Sequence, residues 1–323
     1  VDVEAAEDRV SRVLVTGATG FIGQGLLARL KSDGRAIRAA LRSPIAMENA
    51  VVVGDVGPDT DWARALDGVD AVIHLAGRAH VSAAETDALA RFRRVNAAGT
   101  ARLAEQAASS GVRRFVLISS VKAAADSSGR ALLTEADPPA PGTPYGVSKL
   151  EGERALLDFA DRMETVILRP PLVYGPEVKA NFRALLRLID SGAPLPLGSV
   201  RNRRSLIARD NLVDAIVTAL DAPGAAGGVF YVTDGPALST PGLIRALAYA
   251  LGKPARLVPF PPALLSLAAR AIGKADAADS LLGSLALDDS AFRAKTAWTP
   301  PLSQEAAFLE VAAWYRTRLL PNS

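Results

Sequence analysis

The sequence predicts an α/β protein built on a doubly wound parallel sheet, with a smaller, mostly helical region towards the C-terminus. Three observations lead there. Short apolar runs of strand length alternate with helix-period segments through the first half. The first run ends in a glycine-spaced turn that opens a helix, Thr16-Gly17-Ala18-Thr19-Gly20-Phe21-Ile22-Gly23. The second half reads as helical and is broken by the proline pairs Pro261-Pro262 and Pro300-Pro301.

Taken in order, residues 12–16 form a buried strand because they are continuously apolar and end at glycine. Residues 21–30 follow as a helix with Ile22, Leu26, Leu27 and Leu30 on one stripe. Strands are expected at 36–41 and 51–54, a helix near 61–66 and a fourth strand at 71–75. A long helix covers 88–109, a fifth strand 114–119, a further helix 145–161 and a sixth strand 165–168. Residues 170–196 are rich in turn formers, and 227–233 is another strand. The expected division is a dinucleotide-binding unit of residues 1–175 and 206–235, with a substrate unit of 176–205 and 236–323.

Composition narrows the chemistry. The chain has no cysteine, so thiolate nucleophiles, disulfides and thiolate metal sites are out, and no metal site is expected. Its histidines are His74 and His80 alone. With 37 Lys+Arg against 34 Asp+Glu, the net charge of +3 is too small for a nucleic-acid surface. The acidic start lacks the apolar core of a signal peptide, which points to a cytoplasmic protein. The most apolar stretch, 257–272, contains Pro259, Pro261, Pro262 and Arg270, so it is expected not to span a membrane but to form a buried or surface-packed helix, the alternative being a membrane-contacting surface.

The glycine turn suits a pyrophosphate. Gly17 permits the tight turn, Gly20 a close backbone approach, and Gly23 close packing of helix on strand, while the helix start offers free N–H groups. The second strand ends without the acidic residue that would take a ribose diol; Arg38 and Arg42 are there instead. Arg42 can pair with a 2′-phosphate, which favours NADP(H) over NAD(H), or it stacks on adenine or faces solvent. Asp55, with Val56 beside it, is a candidate for the adenine amino group or a turn residue.

Tyr145 and Lys149 stand one helical turn apart, and Ser120 follows the fifth strand. A lysine ammonium beside a phenol favours the phenolate and can hold the nicotinamide ribose, and the serine hydroxyl can bond a substrate oxygen. Lys122, two residues further on, either reaches the substrate or is a solvated loop residue.

These motifs resemble the extended short-chain dehydrogenase/reductases, the group of NAD-dependent sugar-nucleotide epimerases and dehydratases on the Rossmann sheet. The likeness also rests on His74-Leu-Ala-Gly77, Val95-Asn96-Ala-Ala-Gly99-Thr100, Leu168-Arg-Pro-Pro-Leu-Val-Tyr-Gly-Pro176 and Arg204-Ser-Leu-Ile-Ala-Arg-Asp210. It implies that Phe21 and Ile22 join Gly17, Gly20 and Gly23 along the pyrophosphate, and that Leu75, Ala76 and Gly77 run beside the ribose. It implies that Asn96 ties the active-site strand to the helix, that Ser120 is the catalytic hydroxyl with Ser119 next to it, and that Pro170 and Val173 border the nicotinamide. Asn181 and Arg204 would hold the substrate phosphates, with Arg201 and Arg203 near enough to substitute for Arg204, whose other reading is a surface salt bridge. His80 matches a histidine that touches the sugar or forms a pocket wall. A homodimer through a four-helix bundle of 88–109 and 145–161 is implied as well.

The resemblance extends to reaction type. The dehydratases of the group carry two carboxylates after the catalytic hydroxyl, whereas this chain has Ser120-Val121-Lys122. The segments Ile118-Ser-Ser-Val-Lys122 and Val178-Lys-Ala-Asn181 resemble a UDP-glucose 4-epimerase-like subgroup that includes polysaccharide-pathway 4-ketoreductases. The expected reaction is NAD(P)H-dependent reduction of a UDP-4-keto-6-deoxy-N-acetylhexosamine. The alternatives are a UDP-glucose or UDP-N-acetylglucosamine 4-epimerase with tightly bound NAD and, more distantly, a reductase of a small ketone of steroid or flavonoid type.

Overall fold

The computed structural model describes residues 12–79, 87–271, 273 and 275–319. Nine strands occur among them: β1 (Arg12–Thr16), β2 (Ala36–Leu41), β3 (Ala50–Val52), β4 (Ala71–His74), β5 (Arg114–Ile118), β6 (Glu164–Arg169), β7 (Leu172–Tyr174), β8 (Leu206–Ala208) and β9 (Val229–Tyr231). Seven of them form one parallel sheet in the order β3-β2-β1-β4-β5-β6-β9. The order reverses between β1 and β4, where Thr16 pairs with His74 at the carboxyl ends. A crevice opens at such a switch point because the connections leave it in opposite directions.

The helices up to residue 221 are α1 (Phe21–Ser32), α2 (Ala63–Leu66), α3 (Ala88–Arg93), α4 (Gly99–Ser109), α5 (Pro144–Leu157), α6 (Ala180–Asp190) and α7 (Arg209–Asp221); all but α6 flank the main sheet. Alternation along each strand divides the core in two. Val13, Val15, Ile73, Val116 and Val166 meet Leu26 and Leu30 of α1 and Leu212, Ile216 and Leu220 of α7 on one face. Leu14, Val72, Phe115, Leu117 and Ile167 meet Leu66 of α2, Leu103 and Ala107 of α4 and Leu156 of α5 on the other.

The expected helix at 88–109 is continuous but wound as a π-helix over Arg94–Ala98. This bulge carries Asn96 towards α5. Gly152 of α5 sits so close that a Cβ there would lie 2.1 Å from the Asn96 carbonyl oxygen. α5 begins at Pro144 after Thr143, whose hydroxyl accepts from the Gly146 N–H at 3.2 Å.

The region read as turns between Pro170 and Pro196 holds more order than expected. β7 pairs in parallel with β8 in a separate two-stranded sheet, and α6 buries Phe182, Leu186 and Ile189. Further helices follow: α8 (Thr240–Leu251), α9 (Pro262–Ala271), α10 (Ala275–Leu282), α11 (Ser290–Thr296) and α12 (Gln304–Leu319). Tyr174, α6, Ile244 and Leu247 of α8, and Phe308 and Val311 of α12 build a third core away from the main sheet. α11 returns to the main sheet, where Phe292 and Trp298 join the α1/α7 side. The two regions meet at Asp234, whose carboxylate accepts from the Tyr174 hydroxyl at 2.8 Å, the Ala208 N–H at 2.7 Å and Gln304 at 3.1 Å.

Candidate active site

The glycine turn is built as its spacing requires. Gly17 has φ +68°, and a Cβ on it would stand 2.8 Å from the Ala76 nitrogen. A Cβ on Gly23 would fall 2.2 Å from the Gly17 carbonyl oxygen, so α1 rests directly on the turn. From here a groove of about 750 Å³ runs across the carboxyl ends of β1 to β3. Gly17, Gly20, Leu75, Ala76 and Gly77 line its inner part, and Arg42, Asp55 and Val56 its far end. Arg42 and Asp55 are both exposed, with Nε 3.8 Å from Oδ1, a weak and screened pair.

Sequence reasoning missed that Arg78, Arg91, Arg94 and Trp62 line this groove as well. Arg38 and Phe21 do not line it with their side chains. Arg38 turns to the α2 side and donates from Nη1 to the carbonyls of Asp67 at 2.6 Å and of Arg64 and Ala65 at 3.2 Å. Phe21 packs against the third core, with the Arg209 guanidinium 5.6 Å over its ring, so only its backbone belongs to the turn.

A second cavity of about 240 Å³ continues the groove past Leu75, Gly77 and Arg78. Ile22, Asn96, Ser119, Ser120, Tyr145, Lys149, Pro170 and Val173 line it. The sheet explains the convergence. The serines leave the end of β5, Pro170 follows β6, Val173 lies in β7, and α5 presents Tyr145 and Lys149 one turn apart across the switch point. Lys149 is buried and donates from Nζ to the Ile118 carbonyl at 2.8 Å. Burial lowers its pKa to about 8, and Glu153 works in the opposite direction. Burial raises the Tyr145 pKa, while a hydrogen bond with Ser120 pulls it back. The expected lowering of the phenol by the Lys149 ammonium is not what governs Tyr145 in this arrangement.

Asn96 is fully committed. Its Oδ1 accepts from the Arg78 N–H at 2.8 Å, and its Nδ2 donates to the Arg78 carbonyl at 2.9 Å and the Ser148 hydroxyl at 3.0 Å. It therefore joins the loop after β4 to α5. His74 lies beneath, buried between the Thr16 hydroxyl at 2.7 Å from Nδ1 and the Thr100 hydroxyl at 3.2 Å from Nε2. The Thr100 hydroxyl proton is spent on the Asn96 carbonyl at 2.8 Å, so the imidazole carries its proton on Nε2 and accepts at Nδ1. Burial, with the Lys149 charge adding to it, lowers its pKa to about 3.

Behind this cavity lies a charged pair that sequence reasoning did not find. Glu153, one turn beyond Lys149, accepts from the Ser119 hydroxyl and from Arg169 at 2.6 Å and 3.0 Å. Both side chains of the ion pair are almost fully buried. The Lys149-to-Glu153 spacing was a readable signal; Arg169, at the end of β6, was not. Arg169 also sits 5.9 Å from the Tyr231 ring centre.

The substrate-side candidates are not gathered here. Lys122 donates to Asp126 Oδ1 at 3.0 Å, and Asp126 in turn accepts from the Gly142 N–H at 2.7 Å, so Lys122 pins the loop leading to α5. Asn181 is exposed on the first turn of α6. Arg204 is no surface salt bridge either. It donates to the Gly283 carbonyl at 3.1 Å, and burial lowers its pKa. Arg201 and Arg203 are exposed, and His80 lies outside the described residues. Among the described residues no acidic or histidine cluster could hold a metal ion.

Comparison with known proteins agrees with this geometry. A model of the NAD dependent epimerase/dehydratase family matches residues 13–232. The chain is 43% identical over 310 residues to a UDP-glucose 4-epimerase of Vibrio cholerae, covering 93% of this chain and 94% of that one. Among solved structures it is similar to a short-chain dehydrogenase/reductase superfamily protein from Agrobacterium tumefaciens with bound NAD. The TM-score is 0.76 at 25% identity, over 95% of this chain and 98% of that one. It is also similar to MoeE5 in complex with UDP-glucose and NAD, with a TM-score of 0.77 at 26% identity, over 96% and 100% of the two chains. With its parallel sheet, glycine turn and Tyr145/Lys149 cavity, the chain belongs to the NAD dependent epimerase/dehydratase family.

Proposed function

We propose that this protein carries out NAD(P)-dependent oxidation and reduction at C4 of a UDP-linked hexose, with 4-epimerisation as the first reading. The observation that carries it is the continuity of two spaces. The groove over the glycine turn opens past Leu75 and Gly77 into the cavity lined by Ser120, Tyr145 and Lys149. The residues present fit a dinucleotide. A side chain at Gly17 or Gly23 would collide with backbone, and the floor of the groove is bare for that reason. Gly17, Gly20 and the first turn of α1 would hold the pyrophosphate, and Leu75, Ala76, Gly77 and Lys149 the nicotinamide ribose. When bound, the nicotinamide supplies hydride exchange with the sugar carbon.

The chain's own residues handle the proton. A phenol is protonated at neutral pH, and burial raises the Tyr145 pKa further, so it is set to donate to a C4 carbonyl oxygen. Taking a proton from a C4 hydroxyl requires the phenolate, which the Ser120 hydroxyl favours. Lys149 is mostly an ammonium at pH 7 and adds positive potential beside the same oxygen.

The Vibrio cholerae relative and the UDP-glucose and NAD bound by MoeE5 support epimerisation of a UDP-hexose. The second reading is net reduction of a UDP-4-keto-6-deoxy-N-acetylhexosamine by NADPH. It is favoured by Arg42, which stands at the ribose end of the groove where a diol-binding carboxylate would otherwise be. Two measurements separate these readings. Denatured protein that releases stoichiometric NAD, and native protein that converts UDP-glucose or UDP-N-acetylglucosamine to the C4 epimer, support the epimerase. Protein that consumes NADPH with the 4-keto sugar, and whose Arg42→Ala variant loses about tenfold in NADPH affinity without change for NADH, supports the reductase. Failure of both, or Tyr145→Phe retaining near wild-type turnover, rejects C4 redox chemistry at this site.

A further inference from the structure

Well apart in sequence from the residues of these cavities, α9 holds an apolar surface that the fold leaves uncovered. None of its residues is buried. Leu264 is 51% exposed and Leu267 66%, and Val258 and Phe260 in the lead-in are exposed too. Leu264, Leu267, Ala268 and Ala271 recur at the spacing of one helix face, and Phe260 precedes them by one turn. On the opposite side Leu265, together with Leu257, packs against the third core. The helix is therefore anchored through one face while its apolar stripe points outwards.

The charges around the stripe are mostly of one sign, although Asp276 and Asp279 follow on α10. From residue 252 to 275 the chain carries Lys253, Arg256, Arg270 and Lys274 and no carboxylate. Arg256 and Arg270 are exposed, and Arg270 follows Leu267 by three residues on the flank of the stripe. Lys253 pairs with Asp190 at 3.2 Å. Exposed Arg201 and Arg203 stand beside the end of α10, where the Arg203 N–H donates to the Ser284 hydroxyl at 3.2 Å and the Arg203 carbonyl accepts from Leu285 at 2.8 Å. Leu281, at the end of α10, is also exposed.

We propose that α9 and its lead-in dock this protein on an anionic phospholipid bilayer, with the Phe260/Leu264/Leu267 stripe at the headgroup boundary and Arg256 and Arg270 on the lipid phosphates. An apolar face flanked mainly by cations has the pattern of an interfacial helix. α9 is far too short to span, and no helix among the described residues is long and apolar enough to cross a membrane. A second copy is a poorer occupant. Face-to-face pairing would set two net-positive segments against each other, since residues 252–282 carry Lys253, Arg256, Arg270 and Lys274 against Asp276 and Asp279. The proposal does not depend on the reaction assigned above.

The test is co-sedimentation of the full chain with vesicles of phosphatidylcholine alone and of phosphatidylcholine mixed with phosphatidylglycerol. The protein is expected to pellet with the anionic vesicles, less so as salt is raised. Arg256→Gln with Arg270→Gln should weaken partitioning about thirtyfold, given the attraction of each basic side chain to an anionic surface. Leu264→Glu with Leu267→Glu should abolish it with circular dichroism and thermal melting unchanged. No binding to anionic vesicles overturns the proposal, as does binding that survives the leucine pair. A fall in solution mass in that leucine variant, read by sedimentation velocity with no vesicle binding by the parent, would assign the stripe to contact between copies and overturn it too.

Discussion

At the residue scale, Glu153 sets the working state of the cavity from outside it. Its carboxylate holds Ser119, pairs with Arg169 and raises the Lys149 pKa against the effect of burial. Glu153→Gln should therefore move the alkaline limb of the kcat profile from near pH 8 to lower pH, because Lys149 loses its proton earlier. It should also destabilise the protein by about 3 kcal/mol, since Arg169 is left buried without a counter-charge. A limb that stays in place would show that Glu153 is structural only. His74 gives a second pH effect of definite sign. Its pKa of about 3 lies below the unfolded value near 6.5, so its contribution is complete above pH 6.5 and declines as pH falls towards 3. Between pH 7 and pH 5 that loss is about 2 kcal/mol, measurable by urea denaturation and flattened in His74→Gln.

At the scale of elements, α5 fits tightly on the π-turn. Gly152 leaves no room for a methyl group beside the Asn96 carbonyl, and both partners are backbone. Gly152→Ala should push α5 outwards at the turn after Lys149, costing about 1–3 kcal/mol and lowering kcat more than it raises KM. Unchanged melting and turnover would show that the contact relaxes freely. The same scale shows what was legible. Strands β1, β4, β5 and β6 were readable because each has a continuous apolar centre buried on both faces, and β2 because Ala39, Ala40 and Leu41 extend a short run interrupted by Arg38. Tyr145 and Lys149 were readable because one helix carries both. β7 escaped notice because three residues have no period, and α6 because its stripe of Phe182, Leu186 and Ile189 begins directly after turn formers. Arg38 and Arg42 looked equivalent in one dimension. They differ because residue 38 lies within β2 on the face that meets α2, whereas Arg42 lies past the strand end. The Glu153–Arg169 pair joins a helix to a strand, and no local pattern announces such a contact.

At the scale of the whole molecule, the switch point between β1 and β4 gathers the site, and the third core stands beside it through the Asp234 junction. The residues that line the two cavities come mainly from the carboxyl ends of β1 to β6, from α5 and from the π-turn, and all of them precede residue 174. The sheet itself is not finished there. β9 pairs with β6 only after residue 231 is present, α11 packs on the same body from still later in the chain, and the third core recruits α12. During synthesis, then, the Arg169 edge of β6 stays open for roughly sixty residues, on the order of several seconds at ordinary elongation rates. An unpaired parallel edge of that duration is a site for mispairing with another nascent chain. The order in which the ribosome delivers these segments therefore makes β6 the strand most in need of protection before the protein is complete.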